Sequence, residues 1–416
     1  MKLIKKICKK ASELINSETF KERHRRNEKA FTRNRKIGFK ENIALILNML
    51  SRTLQIEIDD FVERVMQEEI LVTKQAFSKA RKNIGKEAFE ELFELTRDVL
   101  FHKKKIKKYK GYRIFAVDGS EIMIERTHDI GEHFSRGRAN ISANKCNARI
   151  SLLFDVLNEF VFDASLNALT KSERDCAKSH LKKFETFCNQ KDIVIFDRGY
   201  PSKEMISVLS EMDCRYLMRM QNSSFKEIAE HQESDFKIEI TYQGKTYSVR
   251  VIRVELSTGE TEILITNLKK SEFSKSDFLE LYHFRWGVET AYNTIKNKFL
   301  IEKFSGRTVL SVYQDFFAAM FLFNCVSAIS FTLNRKFTRL KRNCRYHYRA
   351  NHNLIVACLK FRLPAILLGK YTSFSETCKK LLLLCMRQPI PVKPYRSFQR
   401  PLCSHQRKVT SPKYPI

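Results

Sequence analysis

Ile193-Val-Ile-Phe-Asp197-Arg-Gly-Tyr200 is the stretch whose reading decides the fold. Its four consecutive apolar residues leave no polar face. That is the pattern of a strand covered on both sides, as in a parallel sheet with helices above and below. The run ends on a carboxylate and a turn. Asp197 is therefore expected at the C-terminal end of a strand, where open α/β sheets gather their functional groups.

Working outward, residues 172–187 read as a helix. Residues 150–156 and 160–165, joined by Leu157-Asn-Glu159, read as a β-hairpin. Tyr112-Arg-Ile-Phe-Ala-Val-Asp118-Gly-Ser is another β-rich run, expected to end at Asp118 with Gly119-Ser120 as a turn. After Asp197, Pro201 marks the start of a helix, and Tyr216-Leu-Met-Arg-Met220 is one more strand. Three strands, helix, strand, helix, strand is an α/β layer arrangement. Residues 236–242, 246–256 and 262–266 break that rhythm. They alternate like exposed antiparallel strands with turns at Gln243-Gly244 and Ser257-Thr-Gly259, so a β-rich insertion over about 226–270 is expected.

Next comes Tyr282-His-Phe-Arg285-Trp-Gly-Val-Glu289-Thr-Ala-Tyr-Asn-Thr-Ile-Lys296, with no Pro and one Gly, expected as a single helix. At roughly 100° per residue, Tyr282, Arg285, Glu289 and Lys296 share an arc of about 60°. A carboxylate among cations suits a divalent ion on a phosphodiester, the Glu on the metal and the cations on phosphate oxygens. The same spacing also describes a solvated face with an i,i+4 Arg–Glu pair. Two further carboxylates at strand ends separate these readings, and Asp118 and Asp197 supply them. Three carboxylates can hold two Mg²⁺ ions about 3.5–4 Å apart. All-oxygen ligation matches Mg²⁺ or Mn²⁺ rather than zinc.

The 416 residues include 76 Lys and Arg against 47 Asp and Glu, a formal net charge of +29. Such self-repulsion calls for an anionic partner, nucleic acid first and an anionic membrane surface second. The charge is spread over the whole chain, which favours a large footprint. The 11 Cys contain no CxxC pair and no Cys/His set at zinc spacing, the pattern of reduced intracellular thiols rather than a disulfide frame or zinc site. No apolar run near the N-terminus is long enough for a signal peptide. The longest apolar stretch, 316–333, is interrupted by Asn324 and Ser327 and reads as a buried core helix ahead of a membrane span.

Residues 1–40 are dense in Lys and Arg, an arm for a phosphate backbone or a solvated leader. Residues 42–100 show helical periodicity. Within them, 71–82 form a short helix with Thr73 at its N-cap. Its polar face carries Lys74, Gln75, Ser78, Lys79, Arg81 and Lys82. Such a face serves a recognition helix, or only touches phosphates or solvent. Residues 103–110 are a charged linker. Residues 335–349 interleave basic and aromatic side chains, suited to a nucleic-acid strand or to a helical tail packed on the core. The stretch from Pro389 onward reads as poorly ordered.

Val117-Asp118-Gly-Ser, Phe196-Asp197-Arg-Gly-Tyr-Pro-Ser and Tyr282-x2-Arg285-x3-Glu289-x6-Lys296 together resemble the DDE transposases of bacterial insertion sequences. The resemblance is to the group marked by a Tyr-Arg-Glu-Lys signature, the IS-four group, and covers roughly 112–307. It implies an α/β, RNase H-like catalytic core with a β-rich insertion, flanked by helical N- and C-terminal regions. The implied division is a basic DNA-binding region (1–105), the core (106–310) and a basic helical region (311–416). The resemblance further implies cut-and-paste transposition, with Asp118, Asp197 and Glu289 as catalytic metal ligands for two Mg²⁺ ions, Mn²⁺ substituting. Tyr282, Arg285 and Lys296 would contact DNA phosphates. Arg198 and Trp286 are further DNA-contact candidates, the Trp for base stacking or, failing that, core packing. Implied partners are double-stranded DNA, as transposon ends and target, and a second copy of the chain in the DNA complex. No membrane is implied, and the implied location is the cytoplasm, with the bacterial nucleoid. A nuclease of the same fold without strand transfer, or a non-catalytic nucleic-acid-binding derivative, are the alternatives.

Overall fold

The computed structural model describes residues 2–33, 35–48, 52–103, 106–135, 144–212, 214–221, 225–229, 231–255, 259–340 and 343–393. Part of the 103–110 linker, Lys341 and Arg342 of the basic–aromatic stretch, and the chain after 393 lie outside the described residues. The chain divides into two compact units, Ile84–Ser327 and Met1–Asn83 with Ala328–Ile416.

The second unit opens with helices α1 (Lys2–Ile15), α2 (Glu18–His24), α3 (Phe39–Ile46), α4 (Leu54–Phe61) and α5 (Lys74–Arg81). In α1, Leu3, Ile4, Ile7, Cys8, Ala11 and Ile15 recur at helical spacing and are all buried, while lysines occupy the outer face. The basic start of the chain is thus an amphipathic helix. Thr73 caps α5 as expected, its hydroxyl accepting the Ala76 N–H at 3.2 Å. One part of the expectation for α5 is corrected. Arg81 is 5% exposed and lies four residues after buried Phe77, so it faces inward and leaves the polar face.

The other unit is built on one mixed sheet. Helix α6 (Glu87–Phe101) precedes β1 (Arg113–Glu125), α7 (His128–Phe134), β2 (Lys145–Asp155), β3 (Phe160–Asn167), α8 (Glu173–Phe184) and β4 (Asp192–Phe196). Then follow α9 (Lys203–Glu211), β5 (Arg215–Met220), α10 (Lys226–Ala229), β6 (Asp235–Tyr242), β7 (Lys245–Glu255) and β8 (Thr261–Thr266). Helices α11 (Asp277–His283), α12 (Trp286–Asn297) and α13 (Val309–Leu340) complete the series. The eight strands run in the order β3-β2-β1-β4-β5-β8-β7-β6. β1, β4 and β5 are parallel, and every other neighbouring pair is antiparallel. This is the mixed α/β, RNase H-like core that the sequence implied.

Three expectations need correction. β1 does not stop at Asp118. β2 pairs with it from Phe115 to Glu125 and carries the strand through Gly119-Ser120, whereas parallel pairing with β4 ends at Ala116. Asp118 therefore lies mid-strand, just past the point where one neighbour leaves. The strands of the β-rich insertion are not all exposed and alternating. β8 pairs with β5, so β6–β8 extend the main sheet. Only edge strand β6 alternates, while β7 and β8 bury continuous runs. Third, residues 282–296 are not one helix, as the site geometry below explains.

Strand alternation places Ile114, Ala116 and Asp118 on one face of β1, and Phe115, Val117 and Gly119 on the other. The first face packs Ile114, Ile193, Ile195 and Leu217 against Phe278, Leu281 and Tyr282 of α11. The second packs Phe115 against Phe184 of α8, with ring centroids 4.8 Å apart and the rings tilted by 59°. Helix α13 contains the 316–333 stretch. Its most apolar window is 89% buried in the protein, and among the described residues it is the one helix long and apolar enough to cross a membrane. Its Asn324 both donates to the Val161 carbonyl and accepts the Val161 N–H at 2.9 Å, satisfying edge strand β3. The boundaries of the two units differ from 105 and 310, because α6 packs on β3 and Asn324 is held by the sheet.

Past Ala328 the chain returns to the helical unit with β9 (His347–Arg349), α14 (His352–Leu359), α15 (Arg362–Leu367), α16 (Phe374–Cys385) and β10 (Ile390–Val392). β9 and β10 pair, so the stretch after Pro389 begins as a strand. Lys360 seats on wholly buried Glu57 at 2.9 Å, joining the two ends of the chain within this unit.

Candidate active site

Asp118 rises from β1, where its Oδ1 accepts the Gly119 N–H at 2.9 Å. Asp197 immediately follows β4. Its Oδ1 accepts the Arg198 N–H and the Tyr282 hydroxyl, both at 2.8 Å. Glu289 stands on α12. Between α11 and α12 the chain tightens. Arg285, Gly287 and Val288 each donate their N–H to the carbonyl three residues back, not four. A Cβ on Gly287 would come within 3.1 Å of the Val156 side chain, so a larger residue there would have to push the β2–β3 turn aside. This break in the helix keeps Tyr282, Arg285 and Glu289 on the Asp118 side.

Arg285 occupies the centre. Its Nη2 donates to Glu289 Oε1 at 2.9 Å, and its Nη1 lies 3.9 Å from Oδ2 of both Asp118 and Asp197. The residue is 5% exposed, and its Nε has no partner. One guanidinium thus serves three carboxylates. Helix α12 is pinned along β1 by two contacts. Tyr292 donates its hydroxyl to the Asp118 carbonyl at 2.6 Å, and Lys296 Nζ donates to Ser120 Oγ and the Glu121 carbonyl, each at 2.7 Å.

The two aspartates are driven apart in proton affinity. Burial pushes Asp118 up to about 6, although the Gly119 N–H and the Arg285 charge pull the other way. Burial also raises Asp197, but the Arg198 N–H, the Arg285 charge and the Tyr282 hydroxyl outweigh it and leave the carboxyl below its ordinary range. Burial, then the Asp197 charge, pushes the Tyr282 phenol well up, so it remains a donor. Asp118, Asp197 and Glu289 present only hard oxygen donors around a cation, a set chemically suited to Mg²⁺ or Mn²⁺. Among the described residues no three His, Cys, Asp or Glu side chains are already drawn to metal-ligand distances. The charge that the three carboxylates face is the Arg285 guanidinium.

The other candidates fall outside this cluster. Arg198 is exposed beside Asp197. Trp286 is 46% exposed and stacks on His283 with centroids 6.5 Å apart, which replaces the core-packing alternative. Lys74, Gln75 and Lys79 are exposed on α5 in the helical unit, and Arg81 is buried there. Sequence reasoning missed Tyr292, Ser120, Glu173 and a buried chain behind Asp118. In that chain His180 Nδ1 lies 2.7 Å from Asp163 Oδ2 and its Nε2 3.0 Å from Ser151 Oγ, while Ser151 donates to the Asp118 carbonyl at 3.3 Å. Ser151 and His180 are wholly buried, so this trio braces β1 and reaches no substrate. Ser172 followed by Asp175 is a helix-start signal that locates Glu173 in a first turn. Nothing local places that turn beside Asp118.

A family model described as the transposase DDE domain matches residues 109–325, more than half of the chain. No curated protein matches it. Among solved structures, the piggyBac transposase synaptic complex with hairpin DNA, determined by cryo-EM, aligns over 92% of this chain and 83% of that one. The identity is 10% and the TM-score 0.46.

Proposed function

The chain belongs to the DDE transposases, and from that premise we propose that it moves an insertion sequence of the IS-four group by cut-and-paste transposition. A DDE transposase is a DNA-cleaving, strand-transferring enzyme that uses divalent metal ions. The observation that carries the reading of the site is the convergence of Asp118, Asp197 and Glu289 on a single cation, Arg285. In the proposal these three carboxylates hold two Mg²⁺ ions, with Mn²⁺ able to substitute. Divalent ions held there would supply charge stabilisation to the attacking and leaving oxygens of an in-line displacement.

The chain's own groups have separate tasks. Tyr282 holds Asp197 by a donated hydrogen bond and presents its edge to a phosphate. Arg285 exchanges three carboxylates for phosphate oxygens, which match its planar fork. Lys296 trades its Ser120 and Glu121 contacts for a phosphate. Exposed Trp286 offers a face to an unstacked base, and Arg198 a charge to the backbone. Lys74, Gln75 and Lys79 make α5 the candidate reader of the element end. The partners are double-stranded DNA and a second copy of the chain in the DNA complex, within a bacterial nucleoid.

The test is a labelled DNA end from the element's flanks, incubated with a target plasmid and Mg²⁺, comparing the wild type with Asp197→Asn. Metal-dependent cleavage and a joined product, both lost in the variant, are expected. Cleavage without joining would replace the proposal with a simple nuclease.

A further inference from the structure

One side chain packs against two glycines beside the aspartates, most closely at Gly119. A Cβ on Gly119 would stand 3.2 Å from Cγ and Oε1 of Glu173, and a Cβ on Gly199 would stand 3.7 Å from its Oε2. Neither glycine has a positive φ; Gly119 provides room for Glu173, while a Cβ on Gly199 would make an ordinary contact with it. Glu173 is the first residue of α8, half-buried, and lies between the segment that carries Asp118 and the segment that carries Asp197. It approaches from the α8 face, past the end of β4, where the sheet opens. Its neighbour Arg174 donates Nε to the Gly199 carbonyl at 3.0 Å and ties α8 to the Asp197 loop. A carboxylate in a first helical turn is favoured by the helix dipole alone. The dipole does not require it to pack on glycines that follow two active-site aspartates.

Tyr200 is the independent observation. It is 1% exposed, and its hydroxyl has no hydrogen-bond partner. Its backbone N–H donates to the Asp197 carbonyl at 3.1 Å, and burial, then the charges of Asp118 and Glu173, push its proton affinity well up. An unpaired buried hydroxyl is costly to keep, so its partner is expected to arrive with a ligand.

We infer that Glu173 is a fourth carboxylate of the divalent-cation site, and that the Tyr200 hydroxyl becomes its hydrogen-bond donor when the cation is bound. The inference rests on the DDE reading of Asp118, Asp197 and Glu289. A bound cation removes the repulsion between Glu173 and the two aspartates. Glu173 can then turn toward them and take up the waiting phenol.

The experiment is an Mn²⁺ titration of the full-length, DNA-free chain, followed by electron paramagnetic resonance, for the wild type, Glu173→Gln, Tyr200→Phe and Glu289→Gln. Thermal midpoints without metal serve as the folding control. Glu173→Gln should weaken Mn²⁺ binding by about 10–100-fold. Tyr200→Phe should weaken it by about 10-fold while the metal-free midpoint stays level or rises, because its hydroxyl bonds to nothing in that state. A purely structural tyrosine would leave Mn²⁺ binding unmoved, and Tyr200→Phe carries the test even if Glu173→Gln fails to fold. Wild-type affinity in both Glu173→Gln and Tyr200→Phe, with affinity lost in Glu289→Gln, overturns the inference alone. Wild-type affinity in Glu289→Gln as well overturns the reading of the site itself.

Discussion

Arg250 and Arg285 are buried to almost the same degree, 4% and 5% exposed, in the same sheet unit, and their surroundings are opposite. Arg250 grips one carboxylate with both arms, Nε and Nη2 to Asp235 at 2.8 and 2.9 Å. Its Nη1 is spent on the carbonyls of Phe273 and Leu268. Arg285 has one short bond to Glu289, two contacts at 3.9 Å to Asp118 and Asp197, and an orphaned Nε. A structural guanidinium is saturated by a single acid. A guanidinium shared by three acids is left unsaturated, which is the setting the proposed exchange for a divalent ion requires. The difference separates architecture from chemistry more sharply than burial does.

The largest expected effect lies on the saturated side. Arg250→Ala leaves Asp235 with only exposed Lys270, 3.6 Å away, and takes the donor from two carbonyls. Breaking such a pair costs about 3–5 kcal/mol. Urea unfolding should show this loss, and added Mn²⁺ should not restore it. Arg285→Ala should also unfold more easily without metal, but Mn²⁺ should recover that loss, because a divalent ion takes over the vacated charge. Rescue of Arg250→Ala, or none for Arg285→Ala, would erase the distinction.

Next comes Glu289→Gln. An amide cannot replace a carboxylate that shares in holding a cation, so cleavage of the labelled end should fall by at least on the order of 10²–10³-fold. Binding of the same DNA, measured by gel shift, should stay close to wild type. Retained cleavage would mean that the three carboxylates are only a structural counterweight to Arg285.

How much of this contrast was legible in the sequence varies from residue to residue. The continuous apolar run 193–196 exposed the parallel heart of the sheet, because a strand buried on both faces has no room for polar residues. The Tyr-Arg-Glu-Lys spacing brought Tyr282, Arg285 and Glu289 to one side even though the helix breaks, since a tighter turn still advances along the same face. Burial of β7 was hidden by Arg250. A charged residue inside Val249–Ile252 reads as solvent-facing until its partners, distant in sequence, are known. The extension of β1 through Gly119-Ser120 was hidden because pairing with β2 is tertiary, while Gly-Ser is locally a turn signal. Arg81 shows the converse, a cation in a basic helix that lies beneath the helix.

A smaller effect separates the clusters by pH. Asp118 rises from its ordinary 3.8 to about 6 in the folded chain, chiefly through burial. The folded state therefore binds this proton more tightly than the unfolded state. Its contribution is fully present below about pH 3.8 and is lost as the pH rises through about 6. At roughly 1.4 kcal/mol per unit the swing is about 2–3 kcal/mol at most. In metal-free buffer, Asp118→Asn should flatten the decline of stability between pH 4 and 7. Asp235, held below its ordinary range chiefly by the Arg250 hydrogen bond, gives the opposite slope, with stability lost as the pH falls through the carboxylate range. An unflattened profile in Asp118→Asn would place Asp118 in a better-solvated setting than its burial implies.

The smallest effect concerns Lys296, which stands between the two kinds of cation. In the DNA-free chain it is partnered, with Nζ on Ser120 Oγ and the Glu121 carbonyl, yet neither partner carries a charge. Exchanging neutral acceptors for a phosphate gains a charge-assisted bond and releases counterions from DNA. Lys296→Ala should therefore weaken binding to the element end modestly, and should reduce the slope of log K against log salt by about 0.9, one phosphate's worth. The measurement is fluorescence anisotropy from 50 to 200 mM salt, at fixed pH and without metal. Lys296 differs from Arg250 in this respect: Arg250 grips the Asp235 carboxylate with two hydrogen bonds, whereas the Lys296 contacts to Ser120 and Glu121 are to neutral oxygens. An unchanged slope would make Lys296 a clamp between α12 and β1 and nothing more.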